Sequence, residues 1–121
     1  MKLNLMTYNV RLGIETSLGE LGDAVWALGA PDLLALQEIG VHWRMGERVD
    51  QPAQLAARLG LPYHAFAGAL TDDAGGRFGV ALLSRRPILN VDFALLPRLE
   101  DEQRVLLHVT LDTAPRVHVF N

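Results

Sequence analysis

Cysteine is missing from all 121 residues, which excludes disulfides, thiol nucleophiles and thiolate zinc sites. Lysine is nearly missing too: Lys2 stands alone beside ten arginines. That bias suits bidentate phosphate contacts, and it equally suits a genomic preference for arginine codons. With a net charge of −3, there is no overall basic field of the kind a long nucleic-acid track needs. No run approaches the roughly 18 apolar residues of a membrane span. The start, MKLNLMTYNV, is broken by Asn4 and Thr7 and lacks a signal-peptide core. Also absent are His-x-x-x-His and the Gly-x-x-x-x-Gly-Lys-Ser loop, which makes a histidine metal cluster or a P-loop a poor expectation. The expected setting is the cytoplasm.

What is present is an ordinary globular composition, 50% hydrophobic and 21% charged, enough for one domain over residues 1–121 with a real core. Leu3, Leu5, Tyr8 and Val10 read as a first strand. Ser17-Leu-Gly-Glu20 has capping-box form, and Leu18, Leu21, Val25 and Leu28 follow at helical spacing until Gly29 and Pro31. Leu33 to Leu36 then form an apolar strand, so a βαβ unit opens the chain. Asp50 and Pro52 start a second helix that ends at Gly60. Beyond it, residues 63–70, 77–84, 88–96, 103–112 and 116–121 read as strands, separated by TDDAGG, RRP, PRLED and DTAP. Strands on such short connections pair antiparallel.

The apolar strand LLALQEIG ends abruptly on Gln37 and Glu38. Either the strand surfaces there and Glu38 is solvated, or Glu38 lies on the carboxyl-end rim where open α/β sheets hold their ligands. Asn9, in TYNVR, ends the neighbouring strand; it caps the exit turn or faces the same rim. A single carboxylate suffices for Mg²⁺, which keeps several waters and takes substrate phosphate. Arg104 enters the strand VLLHVTL, where it either contacts an anion or merely solvates an edge. His108 and His118 alternate with aliphatic residues and sit on the opposite face from them. His42 and His64 have no partner at ligand spacing.

MTYNVR, DLLALQEI, GRFGVALLSRRPI, RVLLHVTL and VHVFN, taken in order, resemble the endonuclease/exonuclease/phosphatase superfamily with its DNase I-like fold. The resemblance implies that Glu38 is the glutamate that ligates Mg²⁺, with Mn²⁺ as a substitute. It implies that Asn9 is the amide beside metal and phosphate, and more loosely that Arg104 contacts substrate phosphate. Gly79 and Ser84-Arg85 match the family's strand signature. In the family, VFN is followed by Thr-His-Leu, Asp-x-Asn and Asp-His, which are not in this sequence.

The expectation is therefore an N-terminal half of a four-layer α/β sandwich: one mixed, mostly antiparallel sheet with two helices on one face and the second sheet absent. Aliphatic residues alternating through 79–83 and 105–111 should then be exposed. The implied activity is metal-dependent hydrolysis of a phosphodiester or phosphomonoester, with this stretch alone inactive. A small-molecule or lipid-headgroup substrate fits the acidic charge better than nucleic acid. The alternative is a non-catalytic half-domain that binds a partner or another copy through its unfinished sheet.

Overall fold

The computed structural model describes residues 1–121. Strand β1 (Leu5–Asn9) runs into a one-turn 3-10 segment (Arg11–Gly13) and then helix α1 (Leu18–Ala27). Next come β2 (Leu33–Val41), α2 (Gln51–Leu59) and five more strands: β3 (Tyr63–Thr71), β4 (Arg77–Ser84), β5 (Ile88–Leu95), β6 (Val105–Leu111) and β7 (Val117–Phe120). This is a mixed α/β fold. No helix is long and apolar enough to cross a membrane.

The strands form two sheets, not one. The first has the order β1-β2-β4-β3, and the second β5-β6-β7. In the first, β1 and β2 are parallel while β4 pairs antiparallel with both β2 and β3; the second sheet is wholly antiparallel. Short turns alone cannot distinguish a continuing meander from a step into a new layer. The apolar pattern can: Leu82 and Leu83 point to opposite faces, yet both are fully buried. A strand apolar on both faces needs a cover on each side.

Those covers are the helices and the second sheet. Leu18, Leu21 and Val25 of α1 and Leu55 and Leu59 of α2 pack on Leu34, Leu36, Ile39, Ala81 and Leu83. On the other face Leu33, Ala65, Ala67 and Leu82 meet Val105, Leu107, Val109 and Leu111. The aliphatic residues expected to be exposed along β4 and β6 thus bury each other, and each fully buried leucine contributes about 1.5–3 kcal/mol. Of the aliphatic β6 residues only Leu106 faces outward and is exposed; the other exposed apolar residues include Leu5 and Phe120 on the edge strands β1 and β7, and Phe93 on β5.

Local signals explain the elements. Ser17 caps α1 by accepting the Glu20 amide at 3.2 Å. The reciprocal bond from the Ser17 amide to Glu20 does not form; Glu47 instead takes the next free amide, that of Leu18, at 2.7 Å, and an acid at a helix N-terminus is favourable. Asp50 caps α2 through the Ala53 amide at 3.1 Å, and Gly60 closes it with a φ of 65°. In the 71–76 turn, Asp72 takes the Ala74 and Gly76 amides on one oxygen and the Arg44 amide on the other. The β3–β4 hairpin is thereby tied to the loop after β2.

Candidate active site

β1 and β2 run parallel and in register, with Asn9 opposite Gln37, so both strands reach the same rim. There β2 departs from regular geometry. Gln37 pairs with Val80 of β4 and Ile39 with Gly79, leaving Glu38 as an extra residue in a bulge. Its φ is 52°, a left-handed conformation that costs a non-glycine residue about 1–2 kcal/mol. The bulge also shifts the strand's parity. Leu34 and Leu36 face the helices, and a regular strand would put residue 38 there next; instead Ile39 takes that place in the core. Glu38 is thereby spared a position under the helices, and a carboxylate can occupy the end of a core strand without being buried in it.

Gly79 makes this possible from the facing strand. It lies opposite irregularities in both neighbours, Gln37/Ile39 of β2 and Gly68/Leu70 of β3. A Cβ at Gly79 would collide with the Ala67 carbonyl, so only glycine allows the strands to close up at this level.

A cavity of about 350 Å³ opens at the bulge, and Asn9, Glu38 and Arg104 all line it, with Gln37, Gln103 and Asn121 among the other polar groups. The half-buried Glu38 carboxylate makes no hydrogen bond or ion pair with the protein. Asn9 Oδ1 accepts the Arg11 amide at 3.1 Å, so it does cap the exit turn while its amide nitrogen stays available. Arg104 stands at the entrance to β6, where its carbonyl takes the Leu96 amide and the Gln103 side chain. Its guanidinium pairs with Glu102 at 3.0 Å. Both side chains are largely exposed, so the pair is worth under about 1 kcal/mol and yields readily to a better anion.

Asn121, the last residue of the motif VHVFN, has a role that its place in the motif does not reveal. From the end of β7 it crosses to the first sheet, donating through Nδ2 to the carbonyls of Leu36 at 3.0 Å and Ala81 at 2.9 Å. Its Oδ1 accepts from Gln37 Nε2 at 2.8 Å, which also donates to Thr7. Asn121 thus fixes the cavity floor across both sheets. An amide ending an otherwise apolar strand was the available signal.

The histidines are not in this cavity. His108 and His118 share a hydrogen bond of 3.0 Å and stack on the face of the second sheet away from the core, His108 also against Phe120. Nowhere do three or more His, Cys, Asp or Glu side chains gather, so a divalent ion at Glu38 needs water and substrate to complete its shell. The donor set fits Mg²⁺, a hard cation content with one or two carboxylates, neutral oxygens and water. A larger hollow of about 900 Å³ follows the Pro97–Asp101 loop, but one short segment cannot converge polar groups on a ligand.

A parallel β1–α1–β2 unit, a second sheet packed on the first, and a rim cavity combining carboxylate, carboxamide and guanidinium define a layered α/β protein with a polar site at the strand ends. Residues 6–121 match the Endonuclease/Exonuclease/phosphatase family, and the chain belongs to it. Among solved structures, the endonuclease/exonuclease/phosphatase from Beutenbergia cavernae superposes with a TM-score of 0.75 at 25% identity, over 98% of this chain and 38% of that one. A family protein from Leptotrichia buccalis gives 0.72 at 17% identity over 99% and 54%, a likeness of fold. The chain thus spans from 38% to 54% of the length of these neighbours. No curated protein sequence matches it.

Proposed function

We propose that this chain carries the metal- and phosphate-binding side of a Mg²⁺-dependent phosphoesterase, cleaving a phosphodiester or phosphomonoester in the cytoplasm. The observation that carries the reading is Glu38: a carboxylate with no protein partner, held in a strained bulge, in one cavity with Asn9 and Arg104. Glu38 shares its positive φ with Arg11, Leu12 and His42, and residues strained in this way gather where a site serves a ligand.

Glu38 would hold the ion, Mg²⁺ or in its place Mn²⁺, which supplies Lewis-acid polarisation of the phosphoryl oxygens. The amide nitrogen of Asn9 donates to a phosphate oxygen or to water. Arg104 leaves Glu102 and pairs with a non-bridging oxygen, a charge-assisted contact stronger than its surface pair. Glu38 is the only ionisable acid or base lining this cavity besides Arg104, so the chain's own contribution is binding and charge neutralisation rather than proton transfer. A small-molecule or lipid-headgroup phosphoester suits the net charge of −3 better than nucleic acid does.

The second reading, a non-catalytic module that associates through the edges β1 and β7, is favoured by the exposure of Leu5 and Phe120 there. Calorimetric titration separates the two. Mg²⁺ together with inorganic phosphate should bind wild type and fail to bind Glu38→Gln; equal binding by both proteins would remove Glu38 from the site.

A further inference from the structure

A second hollow, of about 270 Å³, adjoins the first and shares Glu38 and Phe78 with it. Its character differs. Leu12, Trp43 and Phe78 form a buried cluster beneath it with Leu70 packed alongside. Ile14 and Met45 stand at its mouth, each about half exposed and apolar. Arg44 lies with its guanidinium 4.9 Å from the centre of the Trp43 ring and pairs with no carboxylate.

The walls are fixed in advance. The fully buried Gln51 donates to the carbonyls of Leu12 and Glu47 and accepts the Gly40 amide, each at 2.9 Å. Gly46, at a φ of 74°, lies so close to Leu12 that a Cβ would strike its carbonyl oxygen. Asp72 holds the Arg44 amide at 3.1 Å. The two loops that form the groove, 11–14 and 42–47, therefore lose little freedom when a ligand enters.

The geometry points to this groove as the pocket for the organic group of the substrate, an alkyl or aryl chain esterified to the phosphate held at Glu38. The inference rests on the phosphoesterase reading and adds the substrate class: a short amphiphilic phosphoester. The hollow is smaller than a whole-ligand pocket, as expected if the phosphate occupies the neighbouring cavity and only its substituent lies here. Arg44 supplies the positive charge beside the phosphate, while the apolar floor takes the chain. A nucleic-acid track would instead need several free cations, and here Arg11 is paired with Glu15 and Glu102 adds negative charge to the wall.

The test uses Trp43 as its own reporter. In a Trp26→Phe background Trp43 is the only indole, and its fluorescence is titrated with inorganic phosphate and with hexyl phosphate, both in Mg²⁺. Hexyl phosphate should bind at least about ten-fold tighter, the effect of removing two or so methylenes from water. Ile14→Ser with Met45→Ser should lose that gain, and Ile14→Leu with Met45→Leu should keep it. Equal affinities in the parent protein, a gain that survives the serine pair, or tighter binding of a dinucleotide than of hexyl phosphate would overturn the groove assignment alone. Failure of inorganic phosphate itself to bind would overturn the phosphoesterase reading, and the groove with it.

Discussion

Asn121 and Gln37 meet side chain to side chain at 2.8 Å, although they come from different sheets and lie 84 positions apart. With the two carbonyls that Asn121 also serves, in β2 and β4, this contact fixes the floor beneath the bulge. Removing the amide takes a donor from two carbonyls and one of two acceptors from the Gln37 nitrogen, which keeps Thr7. An unsatisfied buried group costs about 1–3 kcal/mol. Asn121→Ala should therefore lower stability by about 2–3 kcal/mol, read as an earlier urea midpoint; loss under about 0.5 kcal/mol would show that water replaces the amide at no cost.

Glu38→Gly separates binding from folding. Glycine enters the left-handed region without the Cβ penalty, and the Glu38 carboxylate makes no contact that folding would miss. The variant should be as stable as wild type or up to about 1 kcal/mol more stable, while losing Mg²⁺-dependent phosphate binding. A variant both less stable and still competent to bind would contradict the strained-rim account.

How much of this was legible in the sequence depends on the length scale of the signal. The helices were, because Ser17, Asp50, Pro52 and Gly60 act within one turn of where they stand. The rim pairing of β1 with β2 was also legible, since a βαβ unit leaves little choice of direction. The split into two sheets was not read: RRP marks a turn after β4 but not its direction. The apolar run Val80–Leu83, buried on both faces, was the clue that a second cover existed. The bulge at Glu38 was hidden for a different reason. Nothing local demands a positive φ of glutamate; the demand comes from Gly79 on the facing strand and from Ile39 claiming the next core position. Asn121 acts over a separation no local pattern contains.

Gly79→Ala tests that facing strand directly. The added methyl would meet backbone, the Ala67 carbonyl, rather than a side chain able to swing away. Overpacking against fixed atoms costs about 1–3 kcal/mol or more, so the thermal midpoint should fall by several degrees, with phosphate binding weakened as the bulge is displaced. An unchanged midpoint would mean that β3 and β4 separate freely here.

Catalysis by histidine is not expected from this chain. His108 and His118 stack with Phe120 on the outer face of the second sheet, and the cavity at Glu38 has no histidine lining. His118→Gln should leave Mg²⁺-dependent phosphate binding within about two-fold of wild type, under about 0.5 kcal/mol. Steady turnover of a chromogenic phosphodiester by the 121 residues alone, abolished by His118→Gln, would require a different site altogether.

The edges of the two sheets lead to the last expectation, self-association. β1 pairs only with β2 and β7 only with β6, so each presents one side of unpaired amides and carbonyls. Such edges template pairing with another chain unless charge, proline or a covering element blocks them. Here none does: Leu5 is 62% and Phe120 61% exposed, and an apolar cleft between the strands is lined by Leu33, Ala35 and Val119. The net charge of −3 opposes association only weakly at physiological salt, where screening acts beyond about 8 Å. Sedimentation velocity should show a concentration-dependent shift to a larger species at micromolar protein. Leu5→Lys with Phe120→Lys should return the chain to monomer, because a buried lysine at either edge carries an uncompensated charge. A wild-type chain monomeric up to the millimolar range would mean that these edges stay open in solution, and would count against the binding-module reading along with self-association.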